Sequence, residues 1–279
     1  MHPQFDLPGN IEIHHLEADT IGEHNKCFRC QGNVDGKPAV FFIKVYSSPE
    51  INLPIERDIL PRLAAGGIPV PKVLFEQRHD VLCLGFSAIE GMILWDLIDP
   101  RRAPYQAKRV LYHLEEYGAI LGKIHSLPIA TTPLTRRALY ALSDEERDYL
   151  KNQPDLLEWL AANEPGEKVE VLAHGDFHTA HVFFHNDQVS GVIDWESTGM
   201  GWREFDLAWI LRARQVFLNT PEEREAILKG YARHGTWDDA SLSWAEALMY
   251  LHYAFWTRGS GSGYEAFALD RARAISKKL

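Results

Sequence analysis

The pattern of apolar residues changes near residue 92, and this change constrains the fold more than any other feature of the sequence. Before it, three short runs rich in Val, Ile and Phe predict β-strands: KCFRCQG (26–32), AVFFIKVY (39–46) and VLCLGFSAI (81–89). Asp35-Gly36 separates the first two and predicts a hairpin turn. One helix, LPIERDILPRLAAGG (53–67), interrupts the strands and is expected to end at its two glycines.

After residue 92 the chain is predicted to be mostly helical. Long amphipathic segments cover 107–127, 143–165 and 221–235. Only VEVLAHGD (169–176), HVFFHND (181–187) and VSGVIDWE (189–196) have the composition of strands, and Asn186-Asp187 predicts the turn between the last two. The sequence therefore predicts an α+β protein with a small β-rich lobe, residues 1–91, followed by a larger helical lobe, residues 92–279.

Composition limits the class of protein. The formal net charge of −10 argues against non-specific nucleic-acid binding, which requires a basic surface. No stretch approaches the length of a membrane span, and the N-terminus lacks the pattern of a secretory signal. Three cysteines are too few for a disulfide scaffold, and the Cys27/Cys30 pair has no second pair to complete a zinc site. We expect a cytoplasmic protein.

The segment AHGDFHTAHVFF (173–184) carries the chemistry. On a helix, His174, His178 and His181 would share one face and could bind zinc, which would indicate a zinc hydrolase. Gly175 and the β-branched and aromatic residues that follow favour strand, loop and strand instead. The strand GVIDWE (191–196) then returns an acid, Asp194, to the same loop. Two carboxylates are expected to meet, one as a base and one as a cation ligand.

These segments resemble the aminoglycoside phosphotransferase and choline kinase-like family, relatives of the protein kinases. HGDFHTAH (174–181) resembles its HGDxxxxN catalytic loop, and VIDWESTGMGWREFDLA (192–208) resembles its IDxE…DLA segment. Four further segments occur in the family's order: FFIKVY (41–46), IERDILPRL (55–63), GFSAIEG (85–91) and LGKIHSL (121–127). The resemblance implies a bilobal protein-kinase-like fold with nucleotide in the first lobe and the acceptor in the second.

The resemblance also implies which residues bind the nucleotide. Lys44 would hold the α- and β-phosphates of ATP, and Glu56 would fix it through an ion pair. Gly22 and Asn25 lie in TIGEHNKCF (20–28), which resembles the loop that covers the phosphates. The adenine would bond to backbone groups of the hinge near Ser87 and Ile89.

The resemblance assigns the chemistry to acidic residues of the second half of the chain. Asp176 would be the base that accepts the proton of the acceptor hydroxyl, and Asp194 would ligate the divalent cation, Mg²⁺ in this family. Glu196 is expected either to assist the cation or to cap the loop. His174 and Asp206 are expected to hold the catalytic loop in shape.

His181 departs from the family, which has asparagine there to help hold the cation. Imidazole suits Mn²⁺ or Zn²⁺ better than Mg²⁺. The residue is expected to ligate a cation through nitrogen, to hold a water or phosphate, or to mark a nucleotide-binding pseudokinase that has lost catalysis. The lipopolysaccharide core heptose kinases are similar here, with HRDxxxxH, which favours an active enzyme.

The sequence therefore predicts an ATP-dependent phosphotransferase acting on a hydroxyl of a small molecule or sugar. The acceptor itself is not specified. Several aromatic residues of the helical half are expected mainly in the core, with an apolar wall for a sugar as the alternative: Trp195, Trp202, Trp209, Trp256 and Tyr264.

Overall fold

The computed structural model describes residues 5–19, 25–102, 106–212 and 218–277. The chain forms two compact units. The first consists of residues 1–91 together with 183–197, and the second of 92–182 together with 198–279. Sequence analysis placed 183–197 in the second lobe because it follows the helical segments. In the structure this short stretch packs with the β-rich unit instead.

The first unit is built on a five-stranded antiparallel sheet with the order β1-β2-β3-β5-β4. Its strands are β1 (Ile11–Asp19), β2 (Lys26–Val34), β3 (Lys37–Val45), β4 (Val73–Gln77) and β5 (Cys83–Ser87). Asp35 and Gly36, with φ of 53° and 71°, form the predicted hairpin turn between β2 and β3. Phe28, Phe41 and Ile43 are buried from these two strands, which gives the sheet its core.

One helix, α1 (Pro49–Ala65), accompanies the sheet and ends just before Gly66 and Gly67, as predicted. Gly67 has a φ of 74°, a conformation that glycine adopts without steric cost. Leu60 and Leu63 are almost fully buried and form the core-facing side of the helix. Glu56 is also buried on this helix, although it is charged.

A second hairpin completes the first unit. Strands β8 (Val182–His185) and β9 (Gln188–Val192) are joined at Asn186 and Asp187, both with positive φ. The predicted strand 189–196 is too long, because β9 ends at Val192. Asp194 has a φ of 67° and Glu196 lies in a 3₁₀ turn, Trp195–Ser197. The two acids therefore lie in a turn and not on a strand.

The second unit is mainly helical. Its helices are α2 (Leu94–Ile98), α3 (Ala107–His125), α4 (Asp144–Tyr149), α5 (Pro154–Ala162), α6 (Arg203–Leu211), α7 (Pro221–Tyr231), α8 (Asp239–Trp256) and α9 (Tyr264–Ser276). It also contains the short strand β6 (Met92–Ile93) and the antiparallel pair β7 (Glu170–Ala173) and β10 (Gly199–Trp202). Among the described residues, no helix is long and apolar enough to cross a membrane.

The predicted helix over 143–165 is wrong in one respect, because the structure divides it. Ser143 caps α4 in a capping box with Glu146, and a 3₁₀ turn, Leu150–Asn152, follows. Pro154 then occupies the first turn of α5. A proline lacks the amide hydrogen needed inside a helix but suits a helix start, which explains the division.

Helices α3 and α7 approach so closely that their backbones touch at glycines. A Cβ atom added at Gly230 would lie 1.7 Å from the carbonyl oxygen of Glu115, and one added at Gly118 would lie 1.9 Å from that of Ile227. Real Cβ atoms do not come this close to backbone oxygen, so both positions require glycine. This seam fixes α3, which ends at His125 beside the site described below.

We predict that Gly230→Ala lowers the free energy of unfolding by about 1–3 kcal/mol, because the helices must separate. The change is diagnostic, since alanine otherwise favours a helix over glycine by about 1 kcal/mol. Gly166→Ala is the control, because a Cβ there meets nothing within 4 Å. Urea unfolding of both variants measures the difference, and equal stabilities would contradict the tight seam.

Candidate active site

A buried lysine forms the centre of the charged cluster in the first unit. Lys44 lies on β3 and is only 7% exposed. Its ammonium Nζ contacts three carboxylates, at 2.9 Å from Glu56, 2.5 Å from Asp194 and 2.9 Å from Glu196. A buried charge requires such compensation, because an unpaired ammonium in an apolar environment is very costly. The predicted Lys44–Glu56 pair is present, and the structure adds the two acids after β9 to it.

Glu56 is held in place by more than the lysine. The hydroxyl of Tyr46 donates to its Oε2 at 2.7 Å, and the backbone N–H of Trp195 donates to its Oε1 at 3.0 Å. Both carboxylate oxygens therefore have hydrogen-bond donors. This connects β3, α1 and the turn that carries Asp194. Tyr46 was not among the predicted site residues, although it follows Lys44 by two residues and an extended chain directs such residues to the same side.

The cluster carries more negative than positive charge. One ammonium faces three carboxylates, and one oxygen from each acid lies within 4.8 Å of the others. Burial opposes the charged form of Lys44, but the carboxylates outweigh it and hold its pKa well above the ordinary value. Burial raises the pKa of Glu196, and the negative charges of Asp194 and Glu56 raise it further. Lys44 lowers this pKa, but the other effects outweigh it. Oxygen ligands with excess negative charge suit a hard divalent cation.

Asn25 lies at the edge of this cluster. Its side-chain amide donates to Glu196, and its amide oxygen accepts the backbone N–H of Ser47 at 2.9 Å. The residue therefore contacts an acid of the cluster directly. Gly22 and the rest of the predicted phosphate-covering turn, residues 20–24, lie outside the described residues.

The hinge residues lie at the end of β5 and just beyond it. The backbone N–H of Ser87 donates to the carbonyl oxygen of Lys72 at 2.9 Å, and its hydroxyl accepts the N–H of Lys72 at 3.0 Å. The Ser87 N–H is therefore already used within the first unit and is not available to a nucleotide. The side chain of Ile89 packs against Gly191 of β9, where an added Cβ would lie 2.5 Å from it.

The second unit contains the loop that carries Asp176. The loop is fixed by Asp206 of α6, which is buried. Its two carboxylate oxygens accept the backbone N–H groups of His174 and Gly175, at 3.0 and 3.2 Å. Gly175 has a φ of 81°, a conformation that favours glycine. These contacts agree with the loop-holding role expected for Asp206.

Asp206 is in turn held by the helices around it. His125 Nε2 of α3 lies 3.0 Å from its carboxylate, and His125 Nδ1 lies 2.7 Å from the hydroxyl of Tyr231 on α7. Burial alone would raise the pKa of Asp206, but the hydrogen bond and charge of His125 and the N–H of His174 outweigh it and hold the pKa below the ordinary value. His125 was predicted only as part of the LGKIHSL segment, and no local pattern indicates Tyr231.

As the sequence predicted, the three histidines lie in a loop and do not share the face of a helix. Asp176, His178 and His181 each place one ligand atom within 4.8 Å of the others. The rings of His178 and His181 are 3.7 Å apart. His181 Nδ1 lies 3.0 Å from the carbonyl oxygen of Asp176, which can only accept. In the neutral ring the hydrogen is therefore on Nδ1, and the lone pair that could bind a cation is on Nε2.

We predict that Asp206→Asn lowers the free energy of unfolding by about 1–3 kcal/mol at pH 7, since the amide leaves buried donors poorly matched. The lowered pKa gives the effect a sign: the stabilisation is present above the unfolded-state pKa, about 3.9, and is lost as the pH falls. The difference between wild type and variant should therefore shrink from pH 7 to pH 3.5 in urea unfolding. The exposed Asp270→Asn is the control, and a pH-independent difference would contradict the assignment.

Comparison with known proteins identifies the family. Residues 16–244 match the model of the phosphotransferase enzyme family, called APH. The chain belongs to this family. The predicted resemblance is thereby confirmed, and with it the interpretation of the chain as a phosphotransferase.

Two sequence relatives illustrate the range of the family. An aminoglycoside 3'-phosphotransferase of Enterococcus faecalis is 25% identical over 227 residues, which cover 75% of this chain and 83% of that protein. A probable acyl-CoA dehydrogenase of Arabidopsis thaliana, IBR3, is 28% identical over 239 residues, which cover 75% of this chain but only 28% of that protein. The match thus extends over nearly all of one relative and a small part of the other.

Solved structures confirm the protein-kinase-like fold. A thermostable mutant of the aminoglycoside phosphotransferase APH(4)-Ia, in a ternary complex with ADP and hygromycin B, has a TM-score of 0.68 at 18% identity. The match covers 95% of this chain and 94% of that one. The amicoumacin kinase hAmiN, in complex with AMP-PNP, Ca²⁺ and Ami, has a TM-score of 0.62 at 15% identity, and the match covers 98% of this chain and 90% of that one. At these identities the likeness is one of fold.

Proposed function

We propose that the protein transfers the γ-phosphate of ATP to a hydroxyl of a small molecule or sugar. The observation that carries this proposal is the buried Lys44 ammonium with Glu56, Asp194 and Glu196 around it. Membership of a phosphotransferase family supports the reaction class. Related proteins whose structures contain hygromycin B or amicoumacin support a small-molecule acceptor.

The proposed roles follow from the demands of phosphoryl transfer. Its transition state is loose, so catalysis consists mostly of positioning and of neutralising charge. Lys44 binds the phosphates of ATP, and Glu56, fixed by Tyr46 and the Trp195 N–H, sets the position of the ammonium. Asp194, assisted by Glu196, holds a divalent cation, proposed to be Mg²⁺ or Mn²⁺, which supplies positive charge to the phosphates.

The remaining nucleotide contacts stay predictions. Asn25 is proposed to lie beside the phosphates, since its amide already reaches Glu196. The Ser87 carbonyl oxygen and the backbone of Ile89 are proposed to bind the adenine edge. Gly22 keeps its predicted role in the covering loop.

Asp176 is proposed as the base that accepts the proton of the acceptor hydroxyl. The backbone around it is held on one side by Asp206, through His174 and Gly175, and on the other by His181. A general base must be positioned before its pKa matters, and these contacts position it. A pseudokinase, the alternative suggested by His181, would share the nucleotide contacts but show no transfer.

We predict that Asp176→Asn reduces transfer about 100- to 10,000-fold while ATP binding is retained. Transfer is measured as ADP release with a panel of acceptors that includes an aminoglycoside, a macrolide, free sugars and hydroxy acids. ATP binding is measured by thermal unfolding with Mg²⁺ or Mn²⁺, where saturating ligand adds about 2.7 kcal/mol at 100 times its Kd.

The exposed Asp155→Asn serves as the control for the charge change. Full transfer by the Asp176 variant would remove this residue as the base. An ATP-dependent shift with no transfer by wild-type protein under any cation would support the pseudokinase.

His181 is proposed as a cation ligand through Nε2, because its Nδ1–H faces the Asp176 carbonyl oxygen. Nitrogen ligands favour Mn²⁺ over Mg²⁺, whereas an amide oxygen is a hard ligand. We predict that wild type works better with Mn²⁺ and that His181→Asn shifts the ratio of Mn²⁺ to Mg²⁺ activity at least tenfold towards Mg²⁺. His185→Asn, exposed on β8, is the control. An unchanged ratio would exclude His181 as a ligand.

A further inference from the structure

Arg212, the residue directly after α6, is buried in an unusual way. The residue is only 3% exposed. Two guanidinium nitrogens, Nε and Nη1, are buried and have no hydrogen-bond acceptor within the part of the chain that the structure describes. Guanidinium is charged at every physiological pH, so it cannot escape this cost by losing a proton. A buried cation with unused donors indicates a missing anion.

The buried carboxylates of the second unit do not supply that anion. Among the described residues each of them has another cation or histidine as partner: Asp99 with Arg101, Glu146 with His252, Glu204 with Arg203, Asp206 with His125 and Glu246 with Arg224. Arg203 and Arg224 show that this unit normally pairs its partly buried guanidinium groups. Arg212 is different from them.

The surroundings of Arg212 are aromatic. Its guanidinium carbon lies 3.6 Å from the ring centre of Tyr253 on α8 and 5.4 Å from that of Trp209 on α6. The aromatic cluster extends from Tyr253 to Trp256 and Tyr264, at 4.9 and 6.1 Å between ring centres. Trp256 is 42% exposed, so the cluster reaches the surface. Stacking leaves the edge of a guanidinium available for the planar pairing that carboxylate and phosphate favour.

We propose that Arg212 binds an anionic group, a carboxylate or a phosphate, carried by the hydroxyl acceptor. This inference deepens the proposed transfer to a small molecule and rests on it for its purpose. Arg212 follows Asp206, which holds the catalytic loop, by six residues, or about 9 Å along the helix axis. Asp206 itself contacts the backbone of His174 and Gly175, next to the proposed base Asp176, so Arg212 and this loop belong to one part of the second unit. The acceptor is then a hydroxy acid or a phosphorylated polyol or sugar rather than a polycation.

The test compares Arg212→Met with wild type in thermal unfolding. The probes are matched pairs: D-gluconate with D-glucitol for the carboxylate, and glucose 6-phosphate with glucose for the phosphate. We expect one anion to raise the unfolding midpoint of wild type by at least about 2 °C while its neutral partner does not. The shift should disappear in Arg212→Met, and the pair that responds identifies the anion.

Arg258→Met is the matched control. Arg258 also stacks on an aromatic ring, Phe255, at 3.6 Å, but it is exposed and its Nη1 donates to a carbonyl oxygen. This variant should keep the anion-dependent shift. Without added ligand, Arg212→Met should unfold at the wild-type midpoint or above it, since replacing an unpaired buried charge by an apolar side chain is not costly. A midpoint several degrees lower would indicate a structural partner and overturn the proposal.

Two further results would overturn it: no anion in the panel stabilises wild type, or the stabilisation persists in Arg212→Met. Neither depends on phosphate transfer, because binding is measured without ATP. The ATP-dependent shift is measured in parallel. If ATP does not raise the unfolding midpoint of wild type, the proposed function is contradicted. An anion-dependent rise that requires Arg212 would still support anion binding.

Discussion

The first unit depends on the compensation of one buried positive charge. The Lys44 ammonium connects three parts of the chain that are distant in sequence: β3, α1 through Glu56, and the turn after β9 through Asp194 and Glu196. Because a buried ammonium cannot be left unpaired, each of these elements is constrained by the others. Tyr46 and the Trp195 N–H extend the same constraint to both oxygens of Glu56. The arrangement suits the proposed phosphate-binding role of Lys44, because the position of the ammonium is already fixed.

The second unit solves the opposite problem with a buried negative charge. Asp206 accepts two backbone N–H groups of the catalytic loop and is held by His125, which contacts Tyr231. The loop is thereby fixed through its main chain at His174 and Gly175, directly before the proposed base, Asp176. The glycine seam between α3 and α7 supports this arrangement, since these helices carry His125 and Tyr231 respectively.

The sequence predicted what depends on local pattern or on unusual chemistry. Runs rich in Val, Ile and Phe and the Asp35-Gly36 turn predicted β2, β3 and β5, and the resemblance to the phosphotransferase family predicted the pair of Lys44 with Glu56. Features that depend on contacts between residues far apart in the sequence could not be predicted. The conformation at Asp194 has no local signal, and the contact of Tyr231 with His125 bridges residues 106 positions apart. The burial of Arg212 likewise depends on Tyr253 of α8, 41 residues later.

The left-handed backbone at Asp194 limits which amino acids this position tolerates. A φ of 67° is accessible to glycine, asparagine and aspartate but costs free energy for other side chains. Substitutions at this position therefore separate into two kinds. Glutamate keeps the negative charge but strains the backbone of the turn, whereas asparagine removes the charge but fits the same backbone. The exchange that keeps the charge is thus the one that strains the backbone. The residues that this position tolerates are therefore limited by backbone geometry as well as by chemistry.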